Sequence, residues 1–441
     1  MTALSKNAAH VLSALHQKGY KAYIVGGAVR SFLMGNTPDD TDITTNALPN
    51  EIKEVFSGYK VIETGIKHGT VTVLTGDEAI EITTFRTEDG YTDGRHPDKV
   101  TFSRSIEDDL KRRDFTMNSI AYCPSDGYTD PFGGREDICN KIIRCVGVPE
   151  ERFREDSLRI LRGLRFASVT GFTIERNTSE AMFSCKGLIN NISVERIYTE
   201  TVKMLCGSNI KNVIITYFDI ISEYLPEIAS FKNFDQHNYH HKYDLLNHTA
   251  TVVESIEPIP HLRLAALLHD VAKPLCMTLD DEGTGHFYKH ASKGAHIAEA
   301  ILRRLHSDND TTERVTKLIK WHDTPIDENE ETVKRKLRVM GEEMLRDLIK
   351  LQRADTLGLA DEFHNRSEHF DRLEGLIDKV ISDGQCFSLK KLKINGNDML
   401  ELGLKNKEIG VALNYALEGV ISNSVKNDKD SLIEYIKESR Q

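Results

Sequence analysis

Residues 24–46 read I-V-G-G-A-V-R-S-F-L-M-G-N-T-P-D-D-T-D-I-T-T-N. A short apolar strand over residues 20–25 runs into two glycines, Gly26 and Gly27. A short helix and a turn follow, and then Asp40 and Asp42 stand two apart in a second extended segment. Alternation along a strand puts positions i and i+2 on one face. Two carboxylates on one face, beside a glycine turn, suit a divalent cation held against a nucleoside triphosphate. Glycines let the backbone approach phosphates closely. Mg²⁺ takes oxygen ligands, usually one or two carboxylates plus substrate phosphates, and a metal pair can serve both the attacking and the leaving oxygen.

The chain has 441 residues, more than one ordinary core holds, so several domains are expected. Charged residues make up 28% and apolar residues 39%, a balance that fits a soluble globular protein. No run reaches the roughly 18 apolar residues of a membrane span, and no secretory leader is visible. Seven cysteines without a C-x-x-C pair point to free thiols and a cytoplasmic location. The net charge of −11 argues weakly against a nucleic-acid partner. Residues 141–165 run the other way, with seven Lys/Arg against four Asp/Glu.

The first 150 or so residues mix strands and helices. Residues 5–18 read as a helix, and residues 71–74 and 79–85 as two strands around a Thr75-Gly76-Asp77 turn. From about residue 150 onward helical spacing dominates. Residues 231–243 read as a connection, residues 244–355 as a further helical block, and Asp383-Gly384 as a break.

Three further groups fall where phosphate chemistry wants them. Glu81, on an edge strand with Ile80 and Ile82 facing away, offers a third carboxylate. Arg112, Arg113 and Asp114 precede an apolar turn; arginine pairs with phosphate through its planar fork, and Asp114 suits a ribose hydroxyl. Asp156 and Arg159, three apart on one expected helix, present an acceptor and donors that fit a base edge, with Arg162 and Arg165 continuing the basic face. Each group alone reads equally well as a solvated strand residue, a helix start or a helix salt bridge.

Taken in order, G-G-x-V-R, D-x-D-I-T-T, G-I-K-H-G-T-V-T-V, E-I-T-T-F-R, G-R-H-P-D, R-R-D-F-T-M-N, D-P-F-G-G, E-D-S-L-R-I-L-R-G-L-R-F-A and S-V-E-R-I resemble the class II tRNA nucleotidyltransferases of bacterial type, the CCA-adding enzymes and related poly(A) polymerases. The resemblance covers at least residues 20–205. It implies an α+β fold: a polymerase β-like head of mixed sheet and helices over 1–150, a nucleotide-selecting helical neck over 151–230, an HD-type helical body over 231–365 and a tRNA-binding tail over 366–441. It implies Asp40 and Asp42 as Mg²⁺ ligands, with Glu81 a third catalytic carboxylate. It implies Gly26, Gly27, Arg30, Arg113, Asp114, Asp156, Arg159, Arg162 and Arg165 as nucleotide-binding, with Glu155, Asp156 and Arg159 in the motif that selects C and A without a nucleic-acid template. Residues 87–98 resemble the loop tied to A addition, which is shortened in relatives that add only CC. Ser31 departs from the family, which usually has Asp there. The implied partners are the tRNA 3′ end, CTP and ATP, and no membrane.

A second pattern comprises His248, His269, Asp270, His290, His322 and Asp355. Several of these lie on apolar helical stripes, where a carboxylate is costly unless paired or metal-bound. Imidazole and carboxylate together suit a divalent metal. The spacing resembles HD-type metal-dependent phosphohydrolases. That resemblance implies one metal on His248, His269, Asp270 and Asp355, and a second completed by His290 and His322. The bland reading is a set of helix braces.

The leading expectation is an enzyme that builds or repairs the tRNA CCA end and releases pyrophosphate, with a second phosphohydrolase activity. The competitors are an A-adding enzyme, a poly(A) polymerase, an HD phosphohydrolase whose head only binds RNA, and a tRNA-binding protein without turnover.

Overall fold

The computed structural model describes residues 4–38, 40–76, 78–91, 99–237, 243–359 and 367–440. The chain divides into two compact units, Met1–Ala229 and Ser230–Gln441.

The first unit opens with helix Lys6–Gln17, which Ser5 caps by accepting from the Ala8 amide and which buries Ala8, Val11, Leu12 and Leu15. Its strands are β1 (Ala22–Val25), β2 (Asp42–Thr45), β3 (Lys60–Ile62), β4 (Thr70–Thr75), β5 (Glu78–Thr84), β6 (Arg86–Asp89), β7 (Lys99–Phe102), β8 (Ala121–Cys123) and β9 (Gly127–Thr129). Seven of them form one mixed sheet in the order β3-β4-β5-β2-β1-β8-β9. Only β2 and β5 pair in parallel there, with Asp42 opposite Glu81. The expected hairpin is present, since β4 and β5 pair antiparallel from Thr70↔Thr83 to Thr75↔Glu78.

β5 alternates as predicted, with Ile80 and Ile82 fully buried and Glu81 exposed. It is an interior strand between β4 and β2, not the edge strand expected. The loop tied to A addition falls largely on residues 92–98, outside the described residues; its near end, Thr87 to Asp89, lies in the β6–β7 ribbon.

Helices Pro149–Glu155, Leu158–Thr170, Arg176–Ser184, Val194–Leu205, Ile210–Thr216 and Phe218–Tyr224 complete the first unit. The sequence predicts one helix carrying both Asp156 and Arg159; the structure breaks it. Asp156 is extended, at φ −141° and ψ 100°, and its Oδ1 accepts from the Leu158 amide at 3.1 Å. An Asp side chain that captures a nearby backbone amide competes with helix continuation.

The second unit is helical. Asp244 caps helix Leu245–Ser255. Helices Pro260–Leu268, His290–Arg304, Asn309–Trp321, Glu330–Met340, Glu342–Leu357 and Ser367–Ser382 follow. Residues 238–242, inside the expected connection, lie outside the described residues. The break at Asp383-Gly384 is present, with Gly384 at φ +62°. Beyond it, Gly396–Glu401, Lys407–Ile421 and Lys429–Glu438 pack around Met399, Leu417, Ile421 and Leu432. Among the described residues no helix is long and apolar enough to cross a membrane.

Candidate active site and metal centre

β1 ends at Val25, opposite Asp42 on β2. Gly26 then adopts φ +66°, a conformation L side chains rarely take. A Cβ on it would lie 3.1 Å from Arg113 Nη1. The glycine therefore both turns the chain and admits a guanidinium. Helix Gly27–Leu33 follows and carries Arg30.

These elements wall a cavity of about 670 Å³. Its lining includes Gly26, Gly27, Arg30, Ser31, Asp40, Asp42, Arg113, Asp114, Asp156, Arg159, Arg162, Arg165 and Phe166. All the nucleotide-binding residues expected from the sequence thus share one cavity with both carboxylates. Asp40 precedes β2 rather than lying on it, so the strand-face argument for the pair fails at Asp40. The loop nevertheless brings it to the same wall. Glu81 is one strand away, in register with Asp42.

The carboxylates repel one another. Partial burial raises the Asp42 pKa, Arg113 pulls it down, and Asp40 pushes it up again. Glu81 is raised by partial burial and by Asp42 and Asp40. An all-oxygen donor set in which burial and neighbouring carboxylates raise Asp42 and Glu81 fits a hard divalent cation.

The arginines are held by a network of acids. Asp114 is buried; its Oδ1 accepts from Phe115 N at 2.7 Å and Asn118 Nδ2 at 2.9 Å, and its Oδ2 lies 2.6 Å from Arg162 Nη2. Burial alone would raise its pKa, yet Arg162 holds it well below the usual carboxylate range. Asn118 in turn accepts from Arg30. Arg165 pairs with Glu200 at 3.1 Å. Buried Asp109 binds both Arg112, at 2.8 Å, and Arg113, at 3.2 Å.

Arg159 donates to Glu155, to the Arg152 carbonyl and, through Nη2, to the Arg112 carbonyl. The last bond ties the helix start to the R-R-D segment. Arg196 reaches Asp156 at 3.3 Å. Its role was missed from sequence; the S-V-E-R-I motif that contains it was visible, but its partner is 40 residues away.

In the second unit, His248, His269, Asp270, His290, His322 and Asp355 converge. His269 follows helix Pro260–Leu268 and His322 follows helix Asn309–Trp321, each as the cap residue. Every imidazole presents Nδ1 to a backbone carbonyl: His248 to Gly358 at 3.0 Å, His269 to Ala266 at 2.8 Å, His290 to Phe287 at 2.8 Å and His322 to Ile319 at 2.6 Å. A carbonyl only accepts, so in each neutral ring Nδ1 keeps the proton and Nε2 exposes a lone pair.

Those lone pairs meet. His248 and His269 Nε2 are 3.2 Å apart, as are His290 and His322 Nε2. Asp270 stands between the pairs. Its Oδ2 lies 3.0 Å from His269 and 3.4 Å from His248, and its Oδ1 lies 3.4 Å from His290 and 3.6 Å from His322. Asp355 is 3.1 Å from His248. Asp270 is buried with no well-aligned donor on either oxygen, although Lys273 Nζ comes within 2.7 Å. Burial alone would lower the His269 pKa, but Asp270 and Asp355 push it up to about 10. Facing lone pairs around an unsatisfied buried carboxylate fit a metal cation, with Asp270 as the shared ligand of two ligand groups.

Comparison with known proteins follows this division. Residues 22–144 match the poly A polymerase head domain, residues 171–231 the probable RNA and SrmB-binding site of polymerase A, and residues 244–366 the HD domain. The CCA-adding enzyme of Lactobacillus helveticus is 35% identical over 433 residues, 97% of this chain and 96% of that one. This chain belongs to the CCA-adding enzymes. It is a nucleotidyltransferase, and its family implies a divalent metal. The CCA-adding enzyme of Enterococcus faecalis is 50% identical, over 204 residues that make up 46% of this chain and 50% of that one. The solved Bacillus stearothermophilus CCA-adding enzyme in complex with CTP is 30% identical, covering 99% of this chain and 97% of that one with a TM-score of 0.73. The Thermotoga maritima CCA-adding enzyme complexed with tRNA is 20% identical, with a TM-score of 0.60 over 98% of this chain and 94% of that one, and supports the fold alone.

Proposed function

We propose that the first unit adds C, C and A in turn to the 3′ end of tRNA, taking them from CTP and ATP without a nucleic-acid template and releasing pyrophosphate. The observation that carries this reading is the single cavity with Asp40 and Asp42 on its wall and five arginines around it. Asp40 and Asp42 hold Mg²⁺, with Glu81 as the third carboxylate. A cation held there would supply charge neutralisation for the phosphates and lower the pKa of the attacking hydroxyl. Arg30, Arg162 and Arg165 take the triphosphate, because guanidinium forks match phosphate oxygens. Arg113, admitted by Gly26, orients the same group. Asp156 and Arg159 present acceptor and donors to the incoming base. Asp114, whose oxygens are occupied by Arg162, Asn118 and Phe115, fixes the arginines as well as facing the ribose.

The tail, residues 366–441, leans on the tRNA backbone in this reading. The HD-type cluster holds one divalent metal on His248, His269, Asp270 and Asp355 and a second on Asp270, His290 and His322. It acts as a phosphohydrolase centre. A cavity of about 650 Å³ lined by His322, Asp355 and Phe370 gives access to it.

The test is extension of a tRNA transcript ending at the discriminator base, with CTP, ATP or both, read at single-nucleotide resolution. Growth by two with CTP and by three with both is the expected result. Growth only on CC-ended transcripts would mark an A-adding enzyme, and a long A tail a poly(A) polymerase.

A further inference from the structure

Three guanidiniums surround one aromatic ring in the head cavity. Arg165 Cζ lies 4.4 Å from the Phe166 centroid, Arg30 Cζ 4.8 Å and Arg162 Cζ 5.4 Å. All four residues line the cavity. Phe166 is 6% exposed, and its ring meets Phe115 edge-on at 5.9 Å and 89°. Phe115 belongs to the R-R-D-F-T-M-N segment, Arg30 to the helix after the glycine turn, and Phe166 to helix Leu158–Thr170. The ring therefore stands where three separate motifs meet.

Like charges held this close oppose one another. Asp114 answers Arg162, and Glu200 answers Arg165. Arg30 donates to the neutral Asn118 amide. The π-face of an aromatic ring attracts a cation, more strongly when water is excluded. An aliphatic side chain of similar bulk fills the space but offers no such face.

We infer that Phe166 is a positioning residue for the triphosphate: its ring holds Arg30, Arg162 and Arg165 in one array before the nucleotide arrives. This rests on the reading that those arginines bind the triphosphate. Because the ring acts on the guanidiniums, its contribution should be the same for CTP and ATP. Base choice stays with Asp156 and Arg159.

The experiment compares Phe166→Leu and Phe166→Tyr in the full-length enzyme. It reads KM and kcat for CTP and for ATP, inhibition by inorganic tripolyphosphate, and the thermal midpoint. Phe166→Leu should raise both KM values and the tripolyphosphate inhibition constant by the same factor, about tenfold, with kcat within about twofold of wild type. Phe166→Tyr, which keeps the π-face, should restore all three. The inference is overturned if the Leu variant leaves the inhibition constant unchanged. It is equally overturned if the Tyr variant falls as far as the Leu variant, or if the two KM values move by different factors. Failure of tripolyphosphate to inhibit the wild-type enzyme would instead remove the triphosphate reading beneath it.

Discussion

The two candidate centres solve opposite electrostatic problems. In the head, Asp40, Asp42 and Glu81 are exposed and all-oxygen, and the cavity that holds Asp40 and Asp42 is also lined by five arginines. In the second unit, His248, His269 and Asp270 are buried to 1% exposure or less, and four imidazoles replace the arginines. An open site with mobile water suits a metal that arrives with its substrate, as Mg²⁺ does with nucleotide phosphates. A buried nitrogen-rich site suits a metal that stays, since protein imidazoles and carboxylates supply most of its ligands.

The sharpest way to break this comparison is to remove the head carboxylates. Asp40→Asn with Asp42→Asn should cut nucleotide incorporation by roughly 10³-fold or more, measured by single-turnover extension, and leave metal bound by the second unit unchanged. Incorporation that survives would place the transfer chemistry elsewhere.

Next in size is Asp109→Asn. Burial alone would raise the Asp109 pKa, but Arg112 and Arg113 hold it below the usual range. A carboxylate with a depressed native pKa stabilises fully above its unfolded pKa, about 4, and that contribution is lost as the pH falls through the native value. The variant should therefore lose about 3 kcal/mol at pH 7 in urea unfolding, and the gap should close in acid. A gap that widens in acid would reverse the sign and refute the pairing.

The second centre is sharpened by a residue with no side chain. Gly358 supplies the carbonyl that His248 Nδ1 meets, and a Cβ on Gly358 would lie 2.6 Å from that nitrogen. Gly358→Ala should weaken metal affinity by about 10- to 100-fold, as loss of a ligand's orienting partner does, with CCA addition intact. Metal titration by calorimetry reads it; unchanged affinity would mean His248 is not a ligand.

The smallest effect concerns nucleotide choice. Arg196→Ala releases Asp156 and should raise misincorporation by about tenfold, on the scale of one lost charge-assisted bond, read as UTP or GTP use on a CC-ended transcript. Equal loss of all nucleotides would make Arg196 a mere brace.

How much was legible in the sequence differs between the centres for physical reasons. The head motifs lie on local turns and strands, so Gly26, Asp42 and Glu81 announce themselves by spacing. Asp40 and Asp156 show the limit. Periodicity extends a strand or helix through them, whereas the chain keeps Asp40 ahead of β2 and leaves Asp156 extended, its side chain accepting from the Leu158 amide. The HD-type ligands were visible as residue types, and their grouping into two sets came from the family resemblance, with the sharing of Asp270 by both sets added by the fold. They spread from His248 to Asp355, and only the fold sets which Nε2 faces which. Arg196 was missed because its partner Asp156 is 40 residues away, and Phe166 because Arg30, which joins Arg162 and Arg165 over its ring, comes from a distant helix.

On the proposed function the two centres work independently, with transfer in the head. The direct test sets Asp40→Asn/Asp42→Asn beside His269→Gln/Asp355→Asn, measuring extension of a discriminator-ended transcript with CTP and ATP together with bound metal. The account predicts that the first variant retains the buried metal and fails to extend, while the second loses that metal and still extends by three. Loss of extension in the second variant, or full extension in the first, would contradict it.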